Sequence, residues 1–151
     1  MATKDGSDNA IKQRWGNTVI EAGNGWTAIP NFLLERQQAL RIDPVQLNIL
    51  LVLMKYWWNR GEKPYPSKKT IAEIVNRDRD TVRKHLKDLE DKGLIERIER
   101  YKPVSDGGGQ TSNEYSLEGL IKKLSELADT EVKEQKQQEE TRAMKRRGRV
   151  A

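Results

Sequence analysis

Between Ser67 and Ile95 the sequence SKKTIAEIVNRDRDTVRKHLKDLEDKGLI holds two helix starts, with only Asn76-Arg77-Asp78 separating the two helices. That spacing constrains the fold more than any other feature. Ser67 is placed to cap a short helix whose apolar residues Ile71, Ile74 and Val75 share one face. Asn76 can close it, because asparagine tolerates the left-handed conformation that ends helices. Asp78 then caps a second helix in which Val82, Leu86 and Leu89 recur at i, i+4 and i+7, before Gly93 stops it. At about 100° per residue those three side chains fall in one narrow sector, which must face a core. Asp80, Arg83, Lys84 and Lys87 project from the other side.

Neither short helix can bury its face alone, and the flanking sequence supplies the missing surfaces. Asp43-Pro44 reads as an acidic cap followed by proline at the first helical position. The residues from Val45 to Asn59 are apolar on most faces, as in a central helix covered by neighbours, and Gly61 and Pro64 close that segment. A short helical turn through Phe32-Leu33-Leu34 precedes it. After Gly93, Leu94 to Tyr101 reads as a strand, 103–112 as a loop containing Gly107 to Gly109, and Asn113 to Leu117 as a returning strand. From Glu118, the residues Leu120, Ile121, Leu124, Leu127, Ala128 and Val132 give one apolar helical stripe. Beyond it the chain is rich in Glu, Gln and Lys. Near the N-terminus, Thr18-Val19-Ile20 and Trp26-Thr27-Ala28-Ile29 flank Gly23-Asn24-Gly25, which suggests a short hairpin or extended arm.

This order of elements resembles a winged helix-turn-helix. Ser67 with Ile71-Ala72, Thr81-Val82-Arg83-Lys84, and Leu89 with Gly93-Leu94-Ile95 match the S-x-x-x-[IL]-A, T-[VI]-x-[RK] and L-x-x-x-G-[LF]-[IV] patterns of winged-helix regulators. The upstream GWTAIPNFLLE, followed by the apolar helix at Asp43, is similar to the N-terminal DNA-binding domain of phage and plasmid replication initiators. Asn113 to Leu117 is similar to the closing strand of many winged helices. The resemblance spans residues 25–117 and implies a mainly α fold with a small β-wing, a winged helix-turn-helix plus a C-terminal helix. The expected organisation is a disordered 1–14, a DNA-binding domain with an N-terminal β-arm over 15–117, a C-terminal helix over 118–140, and a basic disordered tail over 141–151.

The implied partner is double-stranded DNA. Asp80, Arg83, Lys84 and Lys87 form the candidate base-reading face, with Arg83 first, since guanidinium bonds bidentately to guanine O6 and N7 for roughly 1–3 kcal/mol of discrimination; Lys84 and Lys87 suit phosphates better than bases. Lys68, Lys69, Thr70, Arg77, Arg79 and Thr81 are candidate backbone contacts, with the helix N-terminal amides favouring a phosphate beside Arg77 and Arg79. Arg97, Arg100 and Lys102 would reach a neighbouring groove from the wing. Leu117, Leu120, Ile121, Leu124 and Leu127 would pair with a second copy as a homodimer, or else pack on their own domain.

Charge alone does not make this case. Of the net charge of +5, five cations (Arg142, Lys145, Arg146, Arg147 and Arg149) follow Glu140 with no acid among them, so the rest of the chain is neutral. That tail is either a solvated end or a nonspecific phosphate-binding arm. Asp80, Asp88 and Asp91 would repel phosphates. With no cysteine, disulfides, thiolate metal sites and cysteine nucleophiles are excluded, and one His85 cannot build a metal site. Neither paired carboxylates nor a nucleophile with its base stands out, so no enzyme and no cofactor is expected. Gly107 to Gly109 lack the strand-loop-helix context of a nucleotide loop. Trp57 and Trp58 read as core or interface aromatics. The apolar run from Leu47 to Trp58 is too short to span a bilayer, and MATKDGSDNA has no signal-peptide core, so a cytoplasmic protein with no membrane partner is expected. The functional expectation is a sequence-specific transcriptional regulator of bacterial, plasmid or phage type. Replication initiation is the alternative within DNA binding, with other transcription or replication proteins as further partners, and a protein-interaction module is the alternative from another class.

Overall fold

The computed structural model describes residues 6–149, so the disorder expected at the extreme termini, 1–5 and 150–151, lies outside the described residues. Helices α1 (Gly6–Trp15), α2 (Asn17–Ala22), α3 (Asn31–Glu35) and α4 (Gln37–Leu40) lead into α5 (Pro44–Lys55). Then come α6 (Lys68–Val75), α7 (Arg79–Asp91), strands β1 (Glu96–Tyr101) and β2 (Gln110–Ser116), and α8 (Glu118–Gly148).

Three caps set the central helices. The Asp43 carboxylate accepts the Gln46 N–H at 2.8 Å while the Gln46 side chain accepts the Asp43 N–H at 3.2 Å, a reciprocal box with Pro44 in the first turn. Ser67 accepts from the Thr70 amide at 3.0 Å, and Asp78 from the Thr81 amide at 2.7 Å. Asn76 takes the left-handed conformation that ends α6, and Gly93 has φ +75 just beyond α7. Ile49, Leu50 and Leu53 of α5 are fully buried against Ile71 and Val75 of α6 and Val82, Leu86 and Leu89 of α7. Each such side chain contributes roughly 1.5–3 kcal/mol by leaving water. Ile74 points outward instead, and Ala72 takes its place in the core.

A polar seam joins the start of α5 to the C-terminal part of α7. The buried Gln46 donates to Asp88 at 2.5 Å, and Lys92 reaches Asp88 at 2.8 Å, the Gln46 side-chain oxygen at 3.2 Å and the Arg41 carbonyl. Gln46 therefore uses both ends of its amide, so its burial leaves no unpaired polar atom.

β1 and β2 form an antiparallel hairpin with an irregularity between Ile98 and Arg100. β2 begins at Gln110, ahead of the expected Asn113, because Tyr101 pairs with Gln110 and Arg100 with Thr111. Tyr115 is buried and donates its N–H to the Pro64 carbonyl at 2.9 Å, which anchors the hairpin to the α5–α6 connection.

Four expectations are corrected. Residues 6–14 are helical, supported by the Asp8–Lys12 pair at 3.3 Å, whereas disorder was expected to 14. The β-arm is helical over Asn17–Ala22: Asn24 and Gly25 donate back to Glu21 and Ile20, so the glycine-rich turn closes a helix. An isolated hairpin without a third strand has little to stabilise it. α5 ends at Lys55, before the expected Asn59, where the Tyr56 and Trp57 amides turn back to Leu53 and Met54. α8 runs to Gly148, through the segment expected to be a disordered tail.

The leucines offered for pairing with a second copy are occupied within the chain. Leu117 and Leu120 are buried in the core, Leu124 and Leu127 pack against it, and Ile121 is half-buried. Arg36 clamps Glu131 through Nε at 2.6 Å and Nη2 at 2.7 Å, which docks α8 on the α3–α4 junction. Beyond Glu131 nearly every residue of α8 is exposed.

Candidate nucleic-acid interface

The exposed side of α7 follows from the burial of the other side. With Val82, Leu86 and Leu89 inward, Asp80, Arg83, Lys84 and Lys87 all stand in solvent, as the periodicity requires. Arg83 keeps 60% of its side-chain exposure and lies 3.4 Å from Asp80, while Lys87 lies 3.2 Å from Asp91. Exposed pairs of this kind hold little energy, so both cations can exchange a carboxylate for a phosphate.

The turn adds Arg77 and Arg79, both exposed, with Arg77 donating to the Asn76 carbonyl at 3.0 Å. Lys69 is exposed 4.0 Å from Glu73, and Lys68 is half-buried beside it. A cleft between these helices and the hairpin gathers Lys68, Lys69, Arg79 and Arg83 from one side and Gln110, Thr111 and Ser112 of β2 from the other. Cations facing a row of amide and hydroxyl groups make a surface suited to an anionic backbone. Sequence reasoning misses the β2 contribution, since it places Gln110-Thr111-Ser112 in the loop; the run of hydrogen-bonding residues after Gly109 is the available signal.

Several candidates hold other positions. The Thr70 hydroxyl lies 2.9 Å from that of Ser67, and the Thr81 hydroxyl donates to Asp78 at 3.1 Å, so both serve caps. Asp78 itself is held below the ordinary carboxylate range by the Thr81 amide and then its hydroxyl. Its negative charge sits on the N-terminus of α7, so the amides at which a phosphate was expected are already capped by a carboxylate. Arg97 lies 3.7 Å from Glu90 and ties β1 to α7. Arg100, next to last in β1, stacks 4.3 Å over the Tyr65 ring and lies 3.4 Å from Glu114, so its guanidinium is engaged at the α5–α6 connection and along β2. Lys102 is exposed where the strands close on the loop, its amide donating to Gly109 at 2.8 Å, and its ammonium has no ion-pair partner among the described residues. His85 sits 3.9 Å from the α5 cap Asp43. Trp57 packs against the core, whereas Trp58 is 66% exposed. Among the described residues no three His, Asp or Glu side chains converge as metal ligands, and no helix is long and apolar enough to cross a membrane.

Helix, three-residue turn, outward-facing helix and returning hairpin thus stand in sequence on one core, and residues 40–95 match the helix-turn-helix domain family. The fold is a winged helix-turn-helix. The N-terminal domain of the DnaD protein from Geobacillus kaustophilus HTA426 is similar to it at 22% identity and a TM-score of 0.57, over 80% of this chain and 94% of that one. The MepR protein of S. aureus, in a complex with DNA, is similar at 19% identity and a TM-score of 0.43, over 80% of this chain and 90% of that one. A MarR/EmrR family transcriptional regulator from Acinetobacter sp. ADP1 is similar at 19% identity and a TM-score of 0.40, over 91% of this chain and 81% of that one. No curated protein matches the chain. In this winged helix, α6 and α7 are the helix-turn-helix and the β1–β2 hairpin is the wing.

Proposed function

We propose that the chain binds double-stranded DNA without catalysing a reaction, laying the outward face of α7 in the major groove. The observation that carries this reading is the exposure of Arg83 opposite Val82, Leu86 and Leu89, with Arg79, Lys84 and Lys87 on the same helix and Lys69 and Arg77 beside it. Arg83 reads a guanine edge, with Lys84 and Lys87 beside it. Lys68, Lys69, Arg77 and Arg79 hold the flanking phosphates, and Lys102 meets the backbone from the wing. The chain acts as a sequence-specific regulator of transcription, of bacterial, plasmid or phage type, by occluding a promoter or recruiting polymerase to it. A homodimer on two half-sites would have to pair through a surface other than Leu117 and Leu120, which its own core holds.

Origin recognition in replication is the second reading, favoured by the resemblance of GWTAIPNFLLE, the extended segment before α3 together with α3 itself, to replication initiators. Anisotropy titration with random duplexes at 50 and 200 mM KCl tests the shared claim: affinity should fall steeply with salt, and no binding at 50 mM refutes it. Selection from a random pool, followed by matching to promoters or to repeated origin sequences, decides between the two roles.

A further inference from the structure

The cationic end of α8 is left unexplained by a docked winged helix. From Val132 to Gly148 this helix leaves the core, and Arg142, Lys145, Arg146, Arg147 and Arg149 are all exposed. None lies within salt-bridge distance of a carboxylate among the described residues. Their phase is the informative part. With about 100° per residue, Arg142, Lys145, Arg146 and Arg149 occupy a sector of roughly 100°. Read as a disordered tail, these residues are only a net charge; on a helix, they are a stripe. Glu139 borders it one turn before Arg142.

The chemistry of the remaining faces selects the partner. A helix lying in a membrane interface needs a broad apolar face with aromatic or leucine residues. Here Val132 and Met144 are the exposed large apolar residues, and they do not form such a face. A protein interface of useful affinity is anchored by buried aromatic or aliphatic side chains, which this segment also lacks. A duplex phosphate backbone asks only for charge and reach. We infer that the terminal turns of α8 form a second, sequence-independent binding surface for the nucleic-acid phosphate backbone, separate from α7.

The separation follows from the fold. α8 starts beside the C-terminal end of α7, where the Leu120 amide donates to the Leu94 carbonyl at 2.9 Å. At about 1.5 Å per residue the stretch from Leu120 to Arg146 spans roughly 39 Å, about twice the length of α7. The stripe therefore meets phosphates that Arg83 does not, on a flank of the same duplex or on a second one.

The inference rests on nucleic acid being the ligand, so the test separates the two surfaces. Full-length protein, a variant carrying R142Q, K145Q, R146Q and R149Q, and a second variant carrying R77A and R83A are titrated with one random 40-bp duplex over a KCl series. Glutamine keeps helix propensity, and circular dichroism checks that α8 persists. The α8 variant should bind more weakly, with a log-log salt slope shallower by about 3 to 4, at roughly 0.9 per lost phosphate contact. Changing Arg142, Arg146 and Arg149 to lysine should keep the wild-type slope. A shortened footprint in the glutamine variant places the stripe on the same duplex, and loss of two-colour duplex bridging places it on a second. A wild-type slope in the glutamine variant overturns the inference while leaving α7 standing, and so does loss of binding to phosphatidylserine vesicles with duplex binding unchanged. Failure of the wild-type protein to bind any duplex removes both.

Discussion

Arg83 Nη2 lies 3.4 Å from Asp80 Oδ1, one turn apart on the exposed face of α7. The acid restrains the very guanidinium that would read a base, and it faces incoming phosphates with the wrong charge. Asp80→Ala should therefore raise affinity for duplexes of any sequence by several-fold at low salt. It should also lower Tm slightly, since Asp80 is an acid in the first turn of the helix. Anisotropy titrations alongside thermal melts check both directions, and unchanged affinity would mean that this face does not approach DNA.

Base reading and backbone holding should separate by mutation. Arg83→Ala is expected to lower discrimination between a selected site and random duplex by about 1–3 kcal/mol. Lys69→Ala and Arg77→Ala should weaken both duplexes equally and each make the salt slope shallower by about 0.9. Competition titrations at two salt concentrations provide the comparison.

Acid should loosen the seam between α5 and α7. Lys92, and then Gln46, hold the Asp88 carboxylate below its ordinary range. A depressed folded-state pKa contributes stability that is present above the unfolded value of about 3.9 and is lost as pH falls through the folded one. Glu131, lowered by Arg36, and Asp78, lowered by Thr81, act in the same direction. Thermal melts from pH 7 to pH 2 should show Tm falling below about pH 4, less steeply in Asp88→Asn.

Backbone lies close against backbone at the start of α8. A methyl group at Gly119 would collide with the Gly93 carbonyl oxygen, a main-chain atom that cannot swing aside. Gly119→Ala, ordinarily helix-favouring, should here destabilise by about 1–3 kcal/mol through overpacking. Leu120→Ala, at a site 2% exposed, should cost about 2–5 kcal/mol. Urea unfolding measures both.

The sequence made some of this legible and hid the rest for identifiable reasons. Caps at Asp43, Ser67 and Asp78, and the spacing of Val82, Leu86 and Leu89, are local signals, and the structure keeps them all. Arg100 could not be placed, because strand alternation says nothing of Tyr65 lying across it. Thr70 and Thr81 looked free because a cap partner's hydroxyl and a phosphate-binding hydroxyl occupy the same positions. The β-branched Thr18-Val19-Ile20 suggested a strand, yet Gly16 and Gly23 bound a helix there. The end of α8 looked unstructured because it lacks apolar anchors, although its Glu, Gln, Lys and Arg are good helix formers. The apolar stripe of α8 reads from sequence first as a pairing surface for a second copy, and only the Arg36–Glu131 clamp and the burial of Leu120 show it covering the chain's own core.

Amide chemical-shift mapping of the full chain against a short duplex tests the central claim most directly. The largest shifts should fall at 79–87 of α7, with smaller ones at 68–70, at Arg77 and along Gln110 to Ser112. Shifts confined to the region of Trp58 and Tyr65, with α7 silent, would contradict it.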